Sequence, residues 1–191
     1  MSAHDDSRHR GFMSGSSLDT AHDWARDIHD ALRAHDVRQI ATVPDAGLIR
    51  LLDLVGDDKT MRLVTLTTEE EGIGLTAGAW LGGMRSALLM QSSGVGNCIN
   101  ALSLPAICGI PLLMIVTMRG EWGEFNPWQV PMGQAVRPTL AAMGVKLFEV
   151  ARAREAGETV AAAARMAFSG GWQTAVLVTQ HMLGAKRFGE K

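Results

Sequence analysis

"SALLMQSSGVGNCINALSLPAICGIPLLMIVT", residues 86–117, decides the fold. Its ends, SALLMQ and PLLMIVT, are short runs of apolar residues with little polar alternation, the pattern of strands buried on both faces. Between them GNCINALSLPAIC reads as one helix, so the stretch is a strand–helix–strand unit. The alternation extends in both directions. Upstream, RQIATV reads as a strand stopped by Pro44, LIRLLDLV as a helix, MRLVTL as a strand and EGIGLTAGAWLGG as a helix. Downstream, a segment rich in glycine, proline and tryptophan runs from Arg119 to Gly133. A helix near Gln134–Met143, the strand VKLFEV, an alanine-rich helix from about Arg154 and the strand TAVLVT follow it. At the front, Ser17 is placed as the cap of a helix whose Ala21, Trp24, Ala25, Ile28 and Leu32 form one apolar stripe. The predicted fold is three-layer α/β/α, with a mainly parallel sheet of about six strands covered on both faces. Residues 1–16 read as a flexible tail and 17–191 as one domain.

Composition narrows the function classes. The 191 residues are 47% hydrophobic and 20% charged, the mix of a globular chain that buries a sizeable core. A net charge of −2 gives no electrostatic footprint for nucleic acid or an anionic membrane. The polar N-terminus lacks the apolar core of a secretion signal and no run is long enough to span a bilayer, so a cytoplasmic location is expected. Cys98 and Cys108 sit in apolar stretches at a spacing that suits no metal knuckle, and both read as small buried hydrophobes. His22 and His29 share a helix face, but no acid or cysteine completes a metal set and both read as surface residues.

In open parallel sheets, ligands bind beyond the carboxyl ends of the strands. Four such loops carry chemistry here: PDAG (44–47), TTEEEG (67–72), QSSGVGN (91–97) and the long segment 117–134. The run from Gly72 to Gly78 has the spacing of a dinucleotide loop. However, three carboxylates precede it, and the ribose-binding acid expected downstream is missing, so nicotinamide binding is rejected. No glycine loop ends in GKS or GKT, which excludes a Walker site. Glu69, Glu70 and Glu71 suit the positive end of a helix dipole. Because neighbouring helical residues diverge by about 100°, at least one of the three must turn inward, where it needs a partner. QSSGVGN reads as a tight loop with Ser92 or Ser93 as helix cap, and Gly94 and Gly96 let backbone approach a flat ligand.

TEEEGIGLTAGAWLGG, ALLMQSSGVGNCINAL, IPLLMIVTMRGE and PMGQA resemble the pyrimidine-binding subunit of sulfopyruvate decarboxylase and, more broadly, phosphonopyruvate decarboxylase and other thiamine diphosphate enzymes. The resemblance covers roughly residues 20–180. It implies the thiamine diphosphate-binding fold, and a glutamate that hydrogen-bonds the pyrimidine nitrogen of the cofactor and favours the tautomer that takes the thiazolium proton. Registering by the later glycines and Trp80 puts that glutamate on Glu70; a shift of one residue selects Glu69 or Glu71. It also implies cofactor contacts from Ser93, Gly94, Gly96 and Asn97, and a substrate pocket drawing on Pro44, Asp45, Arg119 and Gln129. A lone Asp in a PDAG turn is more often a turn former, and Asp45 reads that way as well. Arg119 reads either as a fork for a carboxylate, sulfonate or phosphonate or as an ion-pair partner of Glu121 or Glu124. Trp122 and Trp128 read as loop packing, and no general-base histidine is evident.

Such enzymes hold the diphosphate through Mg2+ with a GDG motif and a later asparagine, and the near match Gly56-Asp57-Asp58 lacks both the final glycine and that asparagine. The resemblance therefore implies a separate β subunit carrying the diphosphate and Mg2+ site, and an α2β2 or larger assembly with contacts between copies of this chain. The implied activity is decarboxylation of a short 2-oxo acid. A carboligase, another 2-oxo acid decarboxylase subunit, or a non-catalytic binding or interaction domain on the same fold are the alternatives.

Overall fold

Leu113 and Ile115 point to one side of the central sheet and Met114 and Val116 to the other, and all four are fully buried. Leu89 against Leu88 and Met90, and Val176 and Val178 against Ala175 and Leu177, divide in the same way. This two-residue period, with both phases apolar, requires a layer on each face. The computed structural model describes residues 22–184 and supplies those layers. Its elements are α1 (Trp24–Ala34), β1 (Val37–Thr42), α2 (Ile49–Asp57), β2 (Arg62–Thr65), α3 (Glu69–Leu81), β3 (Arg85–Gln91), α4 (Ser92–Cys98), α5 (Ser103–Cys108), β4 (Leu112–Thr117), α6 (Gln129–Ala142), β5 (Lys146–Val150), α7 (Ala156–Gly170), β6 (Gln173–Val178) and α8 (Gln180–Leu183). The six strands are all parallel, in the order β2-β1-β3-β4-β6-β5. Residues of α1, α2 and α7 (Ile28, Leu32, Leu51, Val160 and Ala164) build one core; those of α3, α4 and α6 (Ile73, Val95, Val136 and Leu140) build the other.

The strand order matters for the site. The chain passes from β1 outward to β2 and then crosses β1 to reach β3, so the carboxyl ends of β1 and β3 flank a topological switch point, where such sheets open a crevice.

Several local expectations shift. Asp23 caps α1, accepting from the Arg26 N–H at 3.2 Å, while Ser17 and the tail 1–16 lie outside the described residues. The single helix expected over 96–108 is two: α4 starts at Ser92, and the chain turns before α5, where Pro105 offers no N–H to continue the ladder. α6 begins at Gln129 rather than Gln134, because Pro131 falls in its first turn, where a missing N–H costs nothing. His29 is only 4% exposed, not a surface residue; its Nε2 lies 3.1 Å from Asp58 Oδ2 and fastens α1 to the end of α2. Cys98 is buried, but Cys108, at the end of the short α5, is exposed. Among the described residues no helix is long and apolar enough to cross a membrane.

Candidate functional site

The start of α3 divides the three glutamates by environment. Glu71 reaches back so that its Oε2 accepts the Thr67 N–H at 2.9 Å, satisfying a donor just ahead of the helix and holding its carboxyl below the usual range. Glu70 is exposed. Glu69 alone turns inward and is 8% exposed. The sheltered acid that the sequence register put at Glu70 is thus its predecessor.

Glu69 lies against α4. Asn97 Nδ2 donates to Glu69 Oε2 at 2.7 Å, and among the described residues nothing donates to Oε1. Gly94 is what lets the carboxylate in: a Cβ there would stand 2.5 Å from Glu69 Cγ, Cδ and Oε1. Met132 of α6 lies over Gly96, its sulfur 3.1 Å from where a Cβ would be. Cys98, one turn beyond Gly94, has its thiol pushed up to about 12, first by burial and then by the charges of Glu69 and Glu70. The result is a carboxylate fixed through one oxygen and packed against Gly94, with no donor among the described residues on the other oxygen. A heterocycle with a ring N–H to donate fits that unbonded acceptor oxygen.

Asp45, at the β1 end of the switch point, is a three-way knot. Its Oδ1 accepts Gln91 Nε2 at 2.7 Å, and its Oδ2 accepts Thr117 Oγ1 at 3.0 Å and the Gly47 N–H at 2.9 Å. Ser93 Oγ donates to Gln91 Oε1 at 2.9 Å, extending the chain of bonds to the start of α4. Neither serine caps α4; Ser92 Oγ instead accepts the Arg119 N–H at 3.1 Å. The ends of β1, β3 and β4 are tied to one rim by these contacts.

Arg119 forms an ion pair, and its partner is Glu124: Nε and Nη2 reach the two carboxylate oxygens at 2.7 and 2.8 Å. The Glu124 side chain is 3% exposed and also accepts from the Gly120 and Asn126 N–H groups and from Gln180 Nε2. The Arg119 guanidinium, with these other donors, holds the Glu124 carboxyl at about 2. Gln180 Oε1 accepts the Glu121 and Trp122 N–H groups at 2.9 and 3.0 Å, clamping the long loop to the end of β6. Trp122 stands edge-on to His181 while 57% exposed, and Trp128 is 79% exposed, so tryptophan packs this loop only in part.

A cavity of about 310 Å3 opens beside the knot, lined by Trp24, Asp45, Arg50, Thr117, Arg119 and Gln180, among others. Of the four substrate candidates the structure brings Asp45 and Arg119 to it. Pro44 is exposed and does not line it, and Gln129 sits apart with its Oε1 buried and unbonded. Glu69 entered the sequence reading only as a one-residue shift from Glu70, and Arg50, Thr117 and Gln180 were not singled out by it. A polar residue directly after a buried strand was the available sign for Thr117 and Gln180; Arg50 gave none. Among the described residues no group of three or more His, Cys, Asp or Glu side chains is arranged to hold a metal ion.

Comparison with known proteins places this geometry. Residues 22–124 match the model of the thiamine pyrophosphate enzyme N-terminal TPP-binding domain. The chain is 36% identical over 152 residues to sulfopyruvate decarboxylase subunit alpha of Methanococcus maripaludis, covering 79% of this chain and 91% of the relative. It is 40% identical over 101 residues to phosphonopyruvate decarboxylase of Streptomyces viridochromogenes, covering 52% of this chain and 25% of that longer protein. A solved structure of 2-oxoglutarate:ferredoxin oxidoreductase from Magnetococcus marinus superposes with a TM-score of 0.70 at 12% identity, over 84% of this chain and 29% of that one, a likeness of fold alone.

Proposed function

Because this chain belongs to the thiamine diphosphate enzyme family, through that family's N-terminal cofactor-binding domain, we propose that it is the pyrimidine-binding α subunit of a two-subunit 2-oxo acid decarboxylase. Its substrate is a short 2-oxo acid with a second anionic group, sulfopyruvate first and phosphonopyruvate next. A separate β subunit carries the diphosphate and Mg2+, and the complete enzyme is α2β2 or larger. Support for the split comes from the relatives: the match covers 91% of a protein named as a subunit but 25% of a longer one named as a decarboxylase without a subunit designation.

The observation that carries the reading is the inward Glu69 with one oxygen bonded and the other without a donor among the described residues. When bound, thiamine diphosphate supplies an acidic thiazolium carbon and the electron sink needed when carbon dioxide leaves. This chain supplies the means to activate it. Glu69 Oε1 holds the proton at the pyrimidine ring nitrogen, and Asn97 keeps the carboxylate in the one rotamer that presents Oε1. Gly94 leaves the place that the Glu69 carboxylate fills and Gly96 the place that the Met132 sulfur covers, so both glycines set how closely α3 and α6 pack on α4. The Asp45–Gln91–Ser93 chain fixes the segment bearing those glycines, so the acid and α4 keep a constant spacing.

The test is a pair of variants assayed with the partner subunit. Glu69→Gln keeps assembly and loses turnover by about 10²-fold or more, the usual scale for removing a general acid–base group. Glu70→Gln stays near wild type. The opposite pattern rejects Glu69 as activator. Product analysis with sulfopyruvate separates decarboxylation, which releases an aldehyde, from carboligation, which joins two carbon units.

A further inference from the structure

We propose that Arg50, rather than Arg119, is the specificity anchor for the second anionic group of the substrate; this rests on the decarboxylase reading given above. Both arginines line the cavity of about 310 Å3 at the carboxyl ends of β1 and β4. That volume lies at the low end for small-molecule sites, which suits a short acid and disfavours an aromatic one.

The two arginines differ in how they are held. Arg119 gives Nε and Nη2 to both oxygens of Glu124, a carboxylate whose side chain is 3% exposed. Turning Arg119 toward a ligand would leave that acid buried without its cation, the costly outcome for a buried pair. The same carboxylate anchors the loop through Gly120, Asn126 and Gln180. Asp45 is also committed, with both oxygens accepting from protein donors, so it frames the cavity without offering a free group.

Arg50 is the opposite case. It makes one ion pair, from Nη2 to Asp23 Oδ2 at 2.8 Å, and the two side chains are 55% and 42% exposed. Exposed pairs of this kind are weak and exchange readily with solvent or a competing anion. Nor does releasing Arg50 uncap α1, because the cap bond from the Arg26 N–H goes to the other oxygen of Asp23. Arg50 is thus a cation on the cavity wall whose present partner is dispensable, and its planar fork matches two oxygens of a sulfonate or phosphonate.

The experiment compares sulfopyruvate, with a carboxylate and a sulfonate, against pyruvate, with a carboxylate alone, in the assembled two-subunit enzyme. Arg50→Ala lowers the ratio of kcat/KM for sulfopyruvate over pyruvate by about tenfold or more, carried in KM, the scale of one charge-assisted hydrogen bond. Arg50→Lys recovers part of the ratio, since it restores charge without the fork. Asp23→Asn keeps a capping side chain, frees Arg50 and lowers KM for sulfopyruvate. Arg119→Ala instead damages both substrates alike and destabilises the fold. A ratio in Arg50→Ala within about twofold of wild type, or a loss of kcat shared equally by both substrates, overturns the anchor while leaving the decarboxylase intact. A wild-type complex that decarboxylates neither acid overturns the function and the anchor together.

Discussion

Glu69 is sheltered and Glu70 is not because an α-helix turns about 100° between neighbours, so of three consecutive acids only one can lie against a given adjacent helix. Which one is settled across space, by the absence of a side chain at Gly94, where a Cβ would stand 2.5 Å from the Glu69 carboxyl carbon. Gly94→Ala therefore displaces Glu69 from its bond to Asn97. We expect turnover in the assembled enzyme to fall as far as in Glu69→Gln, at a stability cost of about 1–3 kcal/mol for overpacking, read from the urea midpoint. Activity at the wild-type level in Gly94→Ala would show that the fit between α3 and α4 is not what positions the acid. Cys98 gives a check on the same neighbourhood. With its thiol at about 12, it is almost wholly protonated at neutral pH, whereas Cys108 is exposed. Thiol labelling of the folded chain modifies Cys108 alone, and adding denaturant exposes Cys98 to the reagent.

At the scale of elements, the sheet could be read in advance because its strands are buried on both faces and spell themselves as unbroken apolar runs such as LLMIVT. The ordering of loops at the rim was also open to reading, since in a parallel sheet every carboxyl end faces the same way. Partners could not be read. Gln180 meets the Glu121 and Trp122 N–H groups across more than fifty residues of chain, and nothing local to TQH marks it. The choice of Glu124 over Glu121 for Arg119 depends equally on the path of the loop, while Glu121 pairs with Arg137 of α6. The start of α6 was missed because Pro131 reads as a stop, although at a helix start it is harmless. The Arg119–Glu124 pair carries a pH prediction for this loop. The Glu124 carboxyl lies at about 2 in the folded chain, below its ordinary value near 4.3. Its contribution is therefore complete above that ordinary value and is lost as pH falls toward 2. Glu124→Gln strands Arg119 and lowers stability by on the order of 3 kcal/mol at pH 7. The gap between it and wild type narrows progressively from about pH 5 to pH 2 in urea unfolding. A gap constant across that range would mean the pair is not the loop's anchor.

At the scale of the whole molecule, the proposed reading gives this chain half of a cofactor site. Its inward acid would face the planar ring, and the helix start that bears this acid carries three glutamates. A helix N-terminus suits an anion through its dipole and free N–H groups, but charges of the same sign placed there oppose it. On the proposed reading the diphosphate is held elsewhere, through a metal whose ligands come from the partner. Two half-sites that each contribute a few contacts bind the shared ligand tightly only when both are present, because ligand binding and subunit association are linked equilibria. Thiamine diphosphate with Mg2+ should accordingly leave the Tm of this chain alone nearly unmoved, yet raise that of the mixed subunits by several degrees and shift the mixture to a larger mass in light scattering. By the same linkage, Glu69→Gln should shrink the cofactor-dependent rise without abolishing assembly in its absence. If this chain by itself binds the cofactor as tightly as the mixture does, the division of the site between two polypeptides is wrong, and the search for the diphosphate ligands moves back to the rim described here.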